Sequence, residues 1–170
     1  NECFSTAMGY RKKSQKQVLE NISSIIIPDS VTDIGHEAFR GCRGLADENG
    51  FVVIRGVLYD CLSKEPSITI PESVRIIDNK AFYEKKSLIS VTIPSTVTSI
   101  GDDAFRYCRK LRSVTILDSV TTIGDGAFWG CSSLTSIKIP NSVISIGRWA
   151  FSGCESLSSI ELSDKLTSIK

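Results

Sequence analysis

Most of the chain repeats itself with a period of 23 residues. The segment from Ile93 to Phe105 returns from Ile116 to Phe128, and again from Ile139 to Phe151. Earlier copies run from Ile27-Pro28 to Ala38-Phe39 and from Ile70-Pro71 to Ala81-Phe82. A unit this short cannot bury its apolar side chains alone. It has to stack on copies of itself, so the chain is expected to fold as a solenoid in which each copy is one coil.

Within a coil the pattern is Leu-x-x-Ile-x-Ile-Pro-x-x-Val-x-x-Ile-Gly-x-x-Ala-Phe-x-x-Cys, as in Leu111 to Cys131. Val114 and Ile116 alternate with Ser113 and Thr115, the period of a half-buried strand. A following proline (Pro28, Pro71, Pro94, Pro140) ends that strand's hydrogen bonding. Val120 and Ile123 turn inward again, with room for a second short strand. Glycine at 35, 101, 124 and 147 marks a tight turn and suggests positive φ, with Asp78 in the same slot of one coil. Asp102 and Asp125 are placed to cap a short helical turn carrying Ala-Phe. The expected class is α/β: a parallel β-sheet on one face, short helical turns and loops on the other.

The Ala-Phe pairs end at Phe39, Phe82, Phe105, Phe128 and Phe151. The wide first step places an insertion at about residues 46–66. It contains Phe51 to Tyr59, two β-prone runs around Arg55-Gly56, and reads as a hairpin that projects from, or folds over, one edge of the stack. Residues 22–170 are thus assigned to a solenoid of about six coils. Residues 1–21 do not match the repeat and read either as an N-terminal cap or as a loose basic arm. Lys170 falls in the slot of Gly147 and Gly124.

Twenty Lys and Arg balance 19 Asp and Glu, so net charge gives no push towards nucleic acid or acidic lipid. No apolar run approaches the ~20 residues that span a bilayer, so no membrane insertion is expected. The opening Asn1-Glu-Cys-Phe lacks a basic region and an apolar signal core, and lacks an initiator Met. It reads as a processed form or an excised piece, with no visible export signal.

The string Ile-Pro-x-Ser-Val-Thr-x-Ile-Gly-x-x-Ala-Phe-x-x-Cys-x-x-Leu resembles the BspA-type leucine-rich repeat of bacterial surface antigens. Ile93–Leu111, Ile116–Leu134 and Ile139–Leu157 carry the resemblance best, and Gly56–Tyr59 is similar to the longer repeat variants of that family. It covers about residues 22 to 169. It implies a right-handed leucine-rich-repeat solenoid. It also implies a cell-surface or secreted protein that binds host proteins or other cells. Departures are Lys85 for the usual Cys, Asp78 for Gly, Leu117 for Pro, and the unmatched N-terminus.

Four cysteines (Cys42, Cys108, Cys131, Cys154) share one slot, three residues after the Phe. Zinc needs ligands converging on a point, whereas a repeat slot makes a line. Buried packing of free thiols is the leading reading, with disulfides between adjacent coils its rival. Cys3 and Cys61 lie outside the line and either pair or stay free. The single histidine, His36, has no triad around it, and no phosphate loop, dinucleotide fingerprint or hydrolase motif is present. No enzyme activity, metal or cofactor is expected.

Two surfaces remain. The outward sheet face carries Ser24, Ser67, Ser90, Ser113, Ser136 and Ser159 in one column, and Ile26, Thr69, Thr92, Thr115, Lys138 and Glu161 in the next. A neighbouring column includes Arg112. The uniform serines suit any solvated strand, so Lys138 and Glu161 are the better contact candidates. On the opposite edge Tyr83, Tyr107, Trp129 and Trp149 flank the Ala-Phe pairs, with Arg106, Arg109 and Arg112 as a basic cluster beside Lys85 and Lys86. Exposed aromatics and arginine are enriched at interface hot spots. The rival reading folds each tryptophan onto its neighbouring coil. The candidate protein-binding residues are therefore Trp129, Trp149, Tyr107, Arg106, Arg109, Arg112, Lys138 and Glu161. The expected partner is a protein, of extracellular-matrix or plasma type, bound without catalysis. The alternative is a spacer or self-associating stalk.

Overall fold

A computed structural model describes residues 22–169. The expected N-terminal cap or arm, and Lys170, lie outside the described residues.

Alternation of apolar and hydroxyl side chains produces strands at two places in every coil after the first, which has none among the described residues. The first set comprises β3 (Ser67–Thr69), β5 (Ser90–Ile93), β7 (Ser113–Ile116), β9 (Ser136–Lys138) and β11 (Ser159–Glu161). They pair in parallel as β3-β5-β7 and β9-β11. The second set comprises the two-residue strands β4 (Ile76–Ile77), β6 (Ser99–Ile100), β8 (Thr122–Ile123), β10 (Ser145–Ile146) and β12 (Ser168–Ile169). These short strands build the longer, unbroken sheet. Its order is β1 (Phe51–Ile54), β2 (Val57–Cys61), β4, β6, β8, β10, β12. The molecule is thus a parallel β-solenoid of about five turns with strands on two faces, where a single sheeted face is expected from sequence.

The expected α/β label fails at the Ala-Phe turns. Among the described residues the only helical segment is one 3₁₀ turn, Arg43–Leu45. The turn amides do not close i→i−4 bonds because half of them point along the stack. The amides of Asp103, Phe105 and Tyr107 donate to the carbonyls of Asp125, Ala127 and Trp129 one coil further on, at 2.7–2.8 Å. The intervening amides close three-residue turns: Arg106 N to Asp103 O at 3.0 Å, for example. Asp102 and Asp125, predicted as helix caps, also act between coils, as does Asn79. Asn79 Oδ1 accepts from Asp102 N, Asp102 Oδ1 from Asp125 N, and Asp125 Oδ1 from Arg148 N, at 2.7–2.8 Å.

The core is a set of columns with like above like. Phe82, Phe105, Phe128 and Phe151 form a continuous ring stack, with centroids 4.7, 5.1 and 5.5 Å apart and planes within 12°. Leu88, Leu111 and Leu134, and Val97, Val120 and Val143, are fully enclosed around it. The cysteine column is buried too, and it does more than fill space. Cys108, Cys131 and Cys154 each direct Sγ at the carbonyl of a Phe one coil back (Phe82, Phe105, Phe128), at 3.0–3.2 Å. Cys61, Cys108, Cys131 and Cys154 are free thiols. Cys42 departs from the column's common chemistry: it is disulfide-bonded. Cys3 lies outside the described residues.

The inserted segment forms β1 (Phe51–Ile54) and β2 (Val57–Cys61), antiparallel around Arg55-Gly56. Both turn residues have positive φ, 50° and 78°, the geometry of a tight hairpin turn. The hairpin does not project from the stack. Strand β2 pairs in parallel with β4 and takes the place that a coil's short strand would fill. The apolar interior is divided there. Phe39, Cys42, Val52 and Tyr59 form one cluster with side chains of the first coil, separate from the main core. Arg55 fastens that first coil to the hairpin through the carbonyls of Ile27, Pro28 and Val31, at 2.7–3.1 Å.

Candidate protein-binding edge

The aromatic residues beside the Ala-Phe turns come from unequal slots: one position after Phe for Tyr83 and Trp129, two after for Tyr107, and two before for Trp149. Stacking nevertheless joins them. Ring centroids are 6.1 Å apart from Tyr83 to Tyr107, 6.4 Å from Tyr107 to Trp129, and 6.1 Å from Trp129 to Trp149. The result is an unbroken rail of rings across four coils.

Arginines interleave with it. The guanidinium of Arg106 lies 4.0 Å from the Trp129 centroid and 4.9 Å from that of Tyr107. Asp103 holds the same group at 3.2 Å, and the Tyr107 hydroxyl accepts from it at 3.3 Å. Arg109 lies 5.7 Å from the Tyr107 centroid, and Arg40 covers Tyr83 at 5.3 Å. Such contacts contribute about 0.5–1 kcal/mol when exposed and more when desolvated. Their geometric effect is to lock the rings, which lowers the entropy lost when a partner binds.

Trp149 is the end of the rail and is 62% exposed. Its backbone is left-handed, with φ 54°, in a slot that Gly126 fills one coil earlier. A bulky residue seldom takes that conformation. Trp129, Tyr107 and Arg106 are half-buried against one another, whereas Trp149, in contact with Trp129, is largely exposed. Arg109 is exposed beside them.

The other three predicted contact residues are elsewhere. Arg112 is exposed at the start of β7, and Lys138 and Glu161 lie opposite each other on β9 and β11. Lys138 Nζ binds Glu161 Oε1 at 2.8 Å, which raises the lysine pKa. Because each charge satisfies the other in solvent, the pair offers a partner little. Sequence reading missed Arg40 as part of the rail; its place in the same slot as Tyr83, Arg106 and Trp129 is the available signal.

Among the described residues, His36 makes its polar contact with Asp78. Its Nδ1 lies 2.6 Å from Asp78 Oδ1, and its pKa is raised mainly by that hydrogen bond, against the opposing effect of burial. Asp78 also accepts from the Glu37 amide at 2.6 Å, so its two oxygens are spent on joining coils. The free thiols of the core are held protonated by burial. Burial raises Cys61 to about 11 and Cys108 to about 12, and pushes Cys131 up further. Among the described residues no cluster of His, Cys, Asp and Glu suits a metal ion, and no helix is long and apolar enough to cross a membrane.

The BspA-type leucine-rich repeat model matches residues 15–49 and 53–170, in six copies. The chain belongs to this repeat family. Its members are generally protein-interaction or surface repeat proteins. No curated protein matches the chain. Among solved structures, a leucine-rich repeat protein from Bacteroides capillosus is 27% identical over 66% of this chain and 97% of its own, with a TM-score of 0.57. A leucine rich cell surface protein from Faecalibacterium prausnitzii is also 27% identical, over 88% of this chain and 49% of its own, with a TM-score of 0.53. A leucine-rich repeat protein of T. pallidum is 30% identical over 62% of this chain and 63% of its own, with a TM-score of 0.49. The chain thus spans about half the length of the Faecalibacterium protein and less than two thirds of the T. pallidum one.

Proposed function

We propose that this chain is a non-catalytic protein-binding module of a cell-surface or secreted protein, and that it contacts its partner through the aromatic edge. The observation that carries the reading is Trp149: a large ring, 62% exposed, at the end of an ordered aromatic rail. The rail behind it supplies a preorganised apolar surface, and Arg109 supplies charge at its rim. The repeat family and the Faecalibacterium relative's description as a cell surface protein support the location. Adhesion to host proteins or other cells is the finer role we assign.

A spacer or self-associating stalk is the second reading. It rests on the repeat itself, whose columns of like residues stack one coil rigidly on the next.

Binding of the folded protein to a panel of extracellular-matrix and plasma proteins, at two salt concentrations, separates the two. Saturable binding to one or two members, weakened about tenfold or more by Trp149→Ala with Arg109→Ala, is expected. Silence across the panel, with concentration-dependent self-association in sedimentation, would favour the stalk.

A further inference from the structure

Three segments converge where the hairpin meets the second coil, and they enclose a cleft of about 570 Å³. The turn after the first coil brings Arg43. The crossover from β2 to β3 brings Leu62 and Lys64. The turn after Phe82 brings Glu84, Lys85 and Lys86. Four cations thus line one concavity with a single carboxylate. Among the described residues none of Arg43, Lys64, Lys85 or Lys86 has an ion-pair partner, whereas Arg40, Lys80, Arg106 and Lys138 all do.

This concentration of charge is local. The chain as a whole carries a formal charge of +1, so the cleft cannot be ascribed to a generally basic protein. Two features set it up. Lys85 stands in the slot that cysteine occupies in the neighbouring coils, putting an ammonium where the repeat elsewhere keeps a buried thiol. One coil further, Arg109 and Lys110 continue the exposed charge at the matching turn positions. Like charges gathered in a concave, partly walled site focus a positive potential and repel one another. An anionic ligand relieves that repulsion, and the effect is greater in a cleft than on an open face.

We propose that this cleft is a second binding site, and that its ligand is an acidic peptide segment carrying several Asp or Glu carboxylates. The lining selects peptide over nucleic acid. Glu84 sits among the cations and would repel a uniformly charged phosphate backbone, while a peptide can space its carboxylates around it. Leu62 offers an apolar wall for an intervening side chain. The site shares no residue with the aromatic edge, so its test does not depend on the function proposed there.

The probe is a fluorescein-labelled octaglutamate peptide, followed by anisotropy with the full chain. Saturable binding is expected at low salt, falling sharply as ionic strength rises to about 0.5 M. Lys64→Gln with Lys86→Gln, both at exposed positions, should weaken binding at least tenfold with an unchanged melting temperature. Lys85→Gln is a second, independent variant expected to act in the same direction. The paired control Arg75→Gln with Lys165→Gln removes as much charge elsewhere and should leave affinity within twofold. Equal loss in this control would overturn the site, because binding would then track total charge. So would unchanged affinity in both cleft variants, or no binding at low salt. Tighter binding of an oligothymidylate of equal charge would overturn the peptide assignment.

Discussion

Gly101 lies directly against Asn79 of the preceding coil: a β-carbon built on Gly101 would stand 2.8 Å from the Asn79 amide nitrogen and 2.6 Å from its Oδ1. The glycine of the repeat is therefore set by contact between coils, and positive φ plays no part in it. Gly124 and Gly147 meet Asp102 and Asp125 in the same manner. Gly101→Ala is expected to destabilise by about 1–3 kcal/mol, the cost of overpacking against backbone. Gly35→Ala, with nothing within 4 Å of the added carbon, should change stability by no more than about 0.5 kcal/mol. Urea midpoints of the two variants check the contrast, and equal losses would refute it.

Phe105 is fully buried between Phe82 and Phe128. Phe105→Ala should cost about 3–5 kcal/mol. Because each coil is stabilised chiefly by its neighbours, the loss should spread. Hydrogen exchange at Phe82 and at Phe105 itself, whose amides bond to the coil above, should accelerate together. Acceleration confined to one coil would refute the coupling.

The free thiols should resist modification in the native state. Burial holds Cys61 and Cys154 near 11 and the others higher, so almost no thiolate exists at neutral pH. Titration with a disulfide reagent is expected to label none of Cys61, Cys108 and Cys131 until denaturant is added, with half-buried Cys154 reacting first. Rapid native labelling of Cys108 would show that the core opens.

The raised pKa of His36 gives a signed expectation. Its bond to Asp78 favours the protonated ring, so the stabilisation is complete below the ordinary value of 6.5 and is lost as pH climbs through the higher folded value. The side chain is 72% exposed, which keeps the effect small. Melting temperatures of wild type and His36→Gln should differ at about pH 5.5 and converge by about pH 8.5. A constant offset would assign the contact to the neutral ring.

Trp149→Gly tests the strained backbone directly, since it copies Gly126. Relief of left-handed strain should offset the lost contact with Trp129, leaving the melting temperature equal to or above that of wild type, while partner binding falls. A clear drop in stability would make the ring a structural element.

Much of the fold is legible in the residues because a repeat states each buried slot several times. Leu111, Val120 and Phe128 are read as core by comparison with their counterparts alone. What escapes is set by interatomic distance between coils, which no single copy expresses. Asp102 resembles a helix cap in sequence, yet its acceptor oxygen reaches the next coil. The Ala-Phe turn has helical composition, yet its amides are drawn along the stack. The rings of the edge are visible as residue types, but Arg106 lying between Tyr107 and Trp129 follows from register. The basic cleft is hidden for another reason: Arg43, Lys64 and Lys85 come from three segments with no common spacing.

The close approach at the glycine slot has a consequence for how such a chain can change. Gly101, Gly124 and Gly147 each lie against the polar residue of the preceding coil, Asn79, Asp102 and Asp125, so the contact at this slot repeats. Duplicating or deleting one of these coils keeps this contact but alters the aromatic rail, whose rings come from unequal slots. The coil of Asp78 is different: its carboxylate occupies the space that glycine keeps empty, and it meets His36 and Glu37 across the gap that the hairpin opens. Coils of the glycine type are therefore expected to add beyond Asp78 more readily than before it, where the junction depends on the Asp78 contacts with His36 and Glu37.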